Sequence, residues 1–478
     1  MLALAALGMG VSRHARGQEP HHRPAGDSAA AGQRRGHAGS PMGSGTAWLP
    51  DASPMRGYHV GARGWRVMID GAAFLQYVRQ SGLRRQWQLG STNWVMAMAD
   101  RRAAGGTLQL RAMLSAEPAT LTGMGYPQLL QAAQPYRGGT LTDRQHPHEL
   151  VSELAVRYQR ALPRGVTAEL YLAPAGEPAI GPVAYRHRPS AASDPVAPLG
   201  HHAQDVTHTS FGVATVGVFT RLAKLEASAF NGRHPDDVRT GLDLAGARLD
   251  SYAGRLTVSP SAAWSVSGSF AYLRADDEEH GGVHASRHRV TASVLHARRL
   301  ARGGGDWSSA VVYGANLPGG GLRPLHAILV ETNVERGRAA VFGRAEYVRR
   351  TAAELALTGS VSPELPVGAV SVGYARRLGT VGALGASAGA RGTVNLIPGE
   401  LGPFYGSRAP LGVIVYLRVR PRGRPAAKRD AAVDRHTVGT APRLPLPSRP
   451  PSCSRACAYP SGCSASPAGS CRSSSPAS

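Results

Sequence analysis

Between residues 65 and 420, apolar and polar positions alternate with a period of two, in segments of about ten residues separated by turn-forming stretches. Trp264, Val266, Gly268, Phe270 and Tyr272 fall on one face, and Ser265, Ser267, Ser269 and Ala271 on the other. Leu150, Leu154, Val156 and Tyr158 oppose Glu149, Glu153 and Arg157; Ile328, Val330, Thr332 and Val334 oppose Glu331, Asn333 and Glu335. The last such segment sets Leu411, Val413, Val415, Leu417 and Val419 against Gly412, Tyr416, Arg418 and Arg420. Each segment reads as a strand with one face in an apolar medium and one in a polar medium.

A soluble sandwich shows the same alternation, so the links between segments have to decide. Short links at Leu162 to Gly165, Thr220 to Ala223, Ser259 to Ala262, Glu335 to Arg338 and Arg377 to Thr380 alternate with long ones. The long set is Pro118 to Gln145, Glu177 to Thr207, Gly232 to Ala247, Ala275 to Ala285, Thr351 to Pro363 and Asn395 to Ser407. Short turns on one side and long loops on the other predict an all-β, transmembrane, antiparallel up-and-down barrel of about 16 strands, within 14–18, in an outer membrane. Trp65, Tyr77, Trp87, Tyr171, Trp264, Tyr272, Trp307, Tyr313, Tyr347 and Tyr374 stand near strand ends, where an aromatic girdle would lie. No run of about 18 apolar residues offers a spanning helix instead.

The flanks divide the chain further. Residues 1–17 read as a signal peptide without its positive n-region, from apolar Met1 to Val11 and the small-x-small pattern Ala15-Arg16-Gly17. Residues 18–64 read as a flexible segment rich in His, Gly and Pro, 65–420 as the barrel, and 421–478 as a disordered Pro/Ser/Cys tail foreign to it. All four cysteines, Cys453, Cys457, Cys463 and Cys471, lie in that tail at a spacing that matches no zinc signature.

Charge changes the picture less than its size suggests. The net charge is +23, yet only Lys224 and Lys428 are lysines, and the arginines are scattered singly among strands and turns. That distribution fits a GC-rich genome and gives no nucleic-acid-binding stripe. The inward positions carry both signs: Glu149, Glu153, Arg157, Glu226, Arg255, Glu331, Glu335, Arg344 and Glu346. A ring of this size is too wide for side chains alone to fill, so these charges line either water or a salt-bridged interior.

Candidate chemistry concentrates in two long loops. Leu141 to Glu153 (LTDRQHPHELVSE) and Tyr185 to His208 supply His146, His148, His187, His201, His202 and His208, with Glu149 and Asp205 beside them. Both loops fall on the same side of the barrel, flanking one hairpin. Imidazole with carboxylate suits copper or zinc, the candidate ions here. The competing reading is a hydrogen-bonded lock that ties the loops together as a plug. His21, His22, His37, Met42, Met55 and His59 add scattered imidazole and thioether donors to the N-terminal segment. Ser152 near His148 and Glu153 has the residue types of a hydrolase, but no G-x-S-x-G accompanies them, and no catalytic or cofactor-binding residue is assigned.

The run Gly125 to Gln131 (GYPQLLQ), DRQHPHELVSELA from Asp143, AGEPAIGPVAYRHRPSA from Ala175, PLGHHAQDVTH from Pro198 and FNGRHPDD from Phe230 resemble an uncharacterised family of bacterial outer-membrane-type proteins, over about Gly45 to Arg420. The DRQHPH and GHH segments are its marks, and the resemblance implies a link to heavy-metal or copper resistance. It carries no catalytic residue. The final strand departs from the usual terminal aromatic residue, since Tyr416 is internal.

The functional expectation is therefore a porin-like barrel that passes or binds a small solute or metal ion, with the His-bearing loops as gate or site. Its expected partners are outer-membrane lipid and the barrel-assembly machinery, with no nucleic acid. A non-conducting, surface-presenting barrel is the alternative, and a barrel hydrolase a third.

Overall fold

The computed structural model describes residues 43–422, except 122–124, 137–138, 206–208, 234, 245–247, 275–285, 302–303, 319–322 and 360. His21, His22, His37, Met42, His208, the signal peptide and the cysteine tail lie outside the described residues.

Antiparallel pairing runs without interruption through β1 (Trp65–Gln80), β2 (Trp87–Ala103), β3 (Gly106–Leu114), β4 (Val151–Ala161), β5 (Thr167–Gly176) and β6 (Ser210–Phe219). It continues through β7 (Ala223–Phe230), β8 (Ser251–Ser261), β9 (Trp264–Tyr272), β10 (Ser286–Arg299) and β11 (Gly305–Pro318). The last five are β12 (Leu325–Arg336), β13 (Ala339–Thr351), β14 (Glu364–Val381), β15 (Leu384–Leu396) and β16 (Leu411–Pro421). β16 returns to β1, with Ala73 opposite Val419 and Gln80 opposite Gly412. The expected sixteen-stranded closed barrel is thus the observed fold. A seventeenth strand of the same sheet, Tyr58–Ala62, pairs only with β1, along Trp65 to Ile69 on the edge β16 also uses.

The period-two pattern places side chains as expected. Leu225 on β7 is 58% exposed, while its neighbours Lys224 and Glu226 are 0% and 2% exposed. This inverts the soluble arrangement, since apolar groups meet the outside medium and charges lie within. The outward face carries Leu75, Leu172, Val218, Leu256, Val330, Val372, Val415 and Leu417, all exposed. A closed ring leaves no unpaired sheet edge, which hydrocarbon would penalise. An apolar exterior, a polar interior and full closure are the build of an outer-membrane barrel.

The connections sort as expected into short turns at one end and long loops at the other, with the chain entering β1 and leaving β16 at the short-turn end. Two expectations need correction. The turns assigned to Arg377 to Thr380 and to Ser259 to Ala262 are largely strand: β14 runs to Val381 and turns at Gly382, whose φ of +57° suits glycine, and β8 runs to Ser261. Tyr171 belongs to no girdle, because its odd-numbered parity on β5 turns it into the lumen, where it is fully buried. Trp87, Tyr77, Trp264, Tyr272, Tyr347 and Tyr374 do face outward and are exposed.

If the outer face meets lipid, Val372→Arg near the middle of β14 should cost about 2–4 kcal/mol in a bilayer. Urea unfolding in lipid vesicles measures this, and wild-type stability in the variant would contradict a lipid-facing Val372.

Candidate functional site: the filled lumen

The lumen is occupied by three segments of the chain itself. The first is residues 43–56, which precede the barrel. They had been expected to belong to a flexible arm reaching Gly64, yet Ser44, Thr46, Ala47, Trp48 and Leu49 are buried. Lys224 on β7 donates to the Thr46 carbonyl at 2.7 Å, Arg255 on β8 to the Thr46 hydroxyl at 3.0 Å, and Arg111 on β3 to the Gly43 carbonyl at 3.3 Å. Trp48 packs edge-on against Phe219, with 5.4 Å between ring centroids. Inward charges on the wall thus find backbone acceptors in a segment whose own sequence shows no strand or helix pattern.

The second and third segments are the described parts of the loops 115–150 and 177–209. Loop 177–209 crosses the lumen from β5 to the opposite wall. Its Gly181 N–H donates to Ser269 on β9 at 2.9 Å, Arg188 to Glu331 on β12 at 2.7 Å, and Leu199 N–H to Glu346 on β13 at 2.6 Å. Tyr416 on β16 donates to the Ser193 carbonyl at 2.6 Å. Loop 115–150 is pinned through the DRQHPH run. Asp143, at φ +52°, accepts from Leu130 N–H at 2.6 Å, Arg84 at 2.8 Å and Tyr405 at 3.0 Å. Arg144 donates to Gln86 at 2.6 Å, Gln88 at 2.5 Å and the Gly125 carbonyl at 2.6 Å. Gly125 has φ +77°, and a Cβ there would run into the Gln145 carbonyl. Burial pushes the Asp143 carboxyl above its ordinary range, against the pull of Arg84.

Of the luminal charges named from the sequence, all are buried except Glu335, which is half-buried at the short-turn end. On the wall nearer β3 to β8, Arg111 grips Glu153 at 2.8 and 3.2 Å, and Tyr171 donates to Glu153 at 2.8 Å. Arg157 donates to Glu169 at 2.6 Å, Lys224 lies 2.5 Å from Glu169 and 3.0 Å from Glu226, and Arg255 grips Glu226 at 2.9 and 3.3 Å. On the opposite wall, Arg344 meets Glu331 at 3.1 Å and Asp194 at 3.5 Å, and Arg391 meets Asp194 at 3.3 Å. The salt-bridged interior is the arrangement the side chains take. Sequence reasoning missed Arg111, Glu169 and Lys224, although strand parity places them inward. It also missed Arg188, which no periodicity in its loop could reveal.

The histidines divide. His148 Nδ1 lies 2.8 Å from Glu117 Oε2, and Glu117 also accepts from Asn93 N–H at 3.3 Å, His148 N–H at 2.9 Å and Arg186 at 2.6 Å. His201 Nδ1 lies 2.6 Å from Asp205 Oδ1, while Asp205 Oδ2 accepts from Arg188 and Tyr185 N–H, each at 3.0 Å. His146 and His202 join this stack, with ring centroids 6.0 Å apart for His146–His148, 6.4 Å for His148–His201 and 5.5 Å for His201–His202. His187 turns away to lie against Trp94 at 4.8 Å, and Glu149 pairs with Arg239. Among the described residues, no group of three or more His, Cys, Asp or Glu side chains is placed to hold a metal ion. Each carboxylate anchors an imidazole of its own loop, and Arg186 bonding to Glu117 joins the two loops. Ser152 donates to the Glu149 carbonyl at 3.1 Å, so the three residues of the hydrolase expectation bond to separate partners.

Below the loop contact lies a cavity of about 110 Å³, lined by Asp70, Asn93, Trp94, Glu117, Arg186 and His187 among others. It shares Met55, Arg56 and Arg420 with a second cavity of about 130 Å³ at the short-turn mouth.

No protein-family model and no curated protein matches the sequence. Solved structures with a similar course include OmpF of Salmonella typhi in complex with daunomycin, at 8% identity, TM-score 0.46, covering 76% of this chain and 99% of that one. A loop-deletion mutant of OmpT, an outer membrane protein of Vibrio cholerae, is 8% identical with TM-score 0.41, covering 74% and 99%. A triple mutant of Rh. blastica porin is 10% identical with TM-score 0.36, again covering 74% and 99%. The likeness is one of overall course. The architecture itself rests on the barrel's own pairing and faces.

Two outcomes test this account of the lumen. Arg188→Ala, which strips Glu331 and Asp205 of a buried partner, should destabilise the barrel by about 3 kcal/mol in detergent unfolding. Glu177, beside Ser44 and Gly45, is pushed up to about 8 by burial, which outweighs the attraction of Arg255. Its carboxyl holds its proton longer in the folded than in the unfolded chain. Its contribution to stability is therefore complete at low pH and lost as pH rises from its ordinary range through about 8, by on the order of 1.4 kcal/mol per pH unit. Glu177→Gln should flatten that slope, read as the unfolding midpoint at pH 6 and pH 9.

Proposed function

We propose that the barrel is an outer-membrane channel for small solutes, narrowed from within by residues 43–56 and the loops 115–150 and 177–209. The observation that carries this reading is the pair of cavities that share Arg56 and Arg420 in their linings, one at the short-turn mouth and one under the loop contact at Glu117 and Arg186. Passage then depends on how far that contact opens. The Glu117–His148–Arg186 junction is the gate in this reading, because it joins the two loops across the lumen. Single-channel recording in planar bilayers tests it. Ohmic steps are expected, with conductance raised several-fold in Glu117→Ala. A heat-modifiable, correctly folded barrel that stays silent in both forms instead identifies the non-conducting, surface-presenting alternative.

The metal-handling reading draws on the nearness of His146, His148 and His201, together with the resemblance of the DRQHPH and GHH segments. Calorimetric titration with copper or zinc should then show binding that His146→Ala with His201→Ala removes. Binding unchanged in that double variant would falsify the loop site.

A further inference from the structure

Deeper in the lumen, Glu169, Glu226, Glu331 and Asp194 are each set between two cations. The short-turn mouth breaks that pattern. Its cavity is lined by Arg56, Arg338, Arg377, Arg418, Arg420 and Arg422, and among the described residues the sole carboxylate in the lining is Glu335. Glu335 is shared between Arg56 at 3.2 Å and Arg420 at 2.8 Å. Arg418 is 2% exposed, and its Nη1 bonds only to the Ala192 carbonyl and Ser193 hydroxyl, at 2.5 and 3.1 Å. Its Nε is buried without a hydrogen-bond partner, and these Nη1 bonds go to no carboxylate. Arg377 donates to the Gly337 carbonyl at 3.0 Å, while Arg338 and Arg422 are exposed. A further cavity, of about 160 Å³, adjoins Arg338, Arg377 and Arg422.

We propose that this mouth is an anion-binding vestibule for small solutes bearing phosphate or carboxylate groups, with the six arginines as its recognition groups. A buried guanidinium lacking a counter-ion is costly, and an entering anion removes that cost. The planar fork of arginine matches carboxylate and phosphate oxygens two at a time. Glu335 holds Arg56 and Arg420 in place without neutralising the set. On β14 and β16, Arg377, Arg418 and Arg420 alternate with outward Leu378, Leu417 and Val419, so they address the lumen and not lipid headgroups. Converging positive charge in a low-dielectric wall raises the local concentration of anions at the entrance.

As a statement about passage, the vestibule rests on the channel reading; as a binding site it does not, and the test separates the two. The full chain is reconstituted in bilayers under a KCl gradient and, in parallel, titrated in detergent with inorganic phosphate and with citrate by calorimetry. Expected are a reversal potential favouring chloride and saturable binding of both probes. Arg338→Gln with Arg377→Gln and Arg422→Gln should weaken binding at least roughly tenfold, a loss of about 1.4 kcal/mol, and move the reversal potential toward zero. The corresponding triple lysine variant should keep most of the selectivity, and Arg408→Gln on the long-loop side should change neither readout. Binding by a barrel that never conducts keeps the vestibule and sinks the channel. Conductance without chloride preference or phosphate binding overturns the vestibule, as does binding indifferent to the triple glutamine change. Binding of lipopolysaccharide phosphate but not of free phosphate or citrate also overturns it, since the site would then read lipid.

Discussion

A charge placed inside a closed, lipid-encased tube has to be matched by another charge or by a dipole, and the rest of this protein follows from that constraint. Lys224 shows how the matching is done. It is fully buried, lies between Glu169 and Glu226, and caps the Thr46 carbonyl of the chain's own N-terminal segment. Removing Lys224 would take a buried counter-charge from Glu169 and Glu226 at once. Wall, residues 43–56 and loops are therefore tied together by buried charge.

The loops obey the same logic from the other side. A loop in the lumen carries backbone groups that water cannot reach, so wall side chains must satisfy them. Ser269, Glu346 and Tyr416 each do so for loop 177–209. The DRQHPH segment is consumed in similar work: Asp143 gathers Leu130, Arg84 and Tyr405, while Arg144 reaches two glutamines on the first hairpin. A motif that stands out in sequence for its imidazoles turns out to hold its neighbours chiefly through its aspartate and arginine.

The barrel was legible because its two media differ so sharply. Residues such as Leu225 between Lys224 and Glu226 repeat the inversion strand after strand, and turn lengths fix which end is which. Ion pairs on paired strands, such as Glu226 opposite Arg255 and Glu331 opposite Arg344, follow from parity once register is known. What stayed hidden has no period. Nothing in the sequence of residues 43–56 announces that Thr46 and Trp48 end inside the lumen, because their partners lie on strands far along the chain. The divergence of His187 toward Trp94 and Glu149 toward Arg239 is hidden for the same reason. Loop residues are placed by the wall they meet, and the wall is assembled from distant sequence.

The short strand Tyr58–Ala62 bears on how such a ring finds its closing register. It occupies the edge of β1 from Trp65 to Ile69, and β16 takes that same edge from Ala73 onward. Arg420 and Pro421 continue along β15 alone. The N-terminal strand thus acts as a stop against which the final strand comes to rest. A slip of β16 toward the short-turn end would run into the pairing of Tyr58–Ala62, so in the closed ring the sequence just ahead of the barrel marks where its last strand must end on β1.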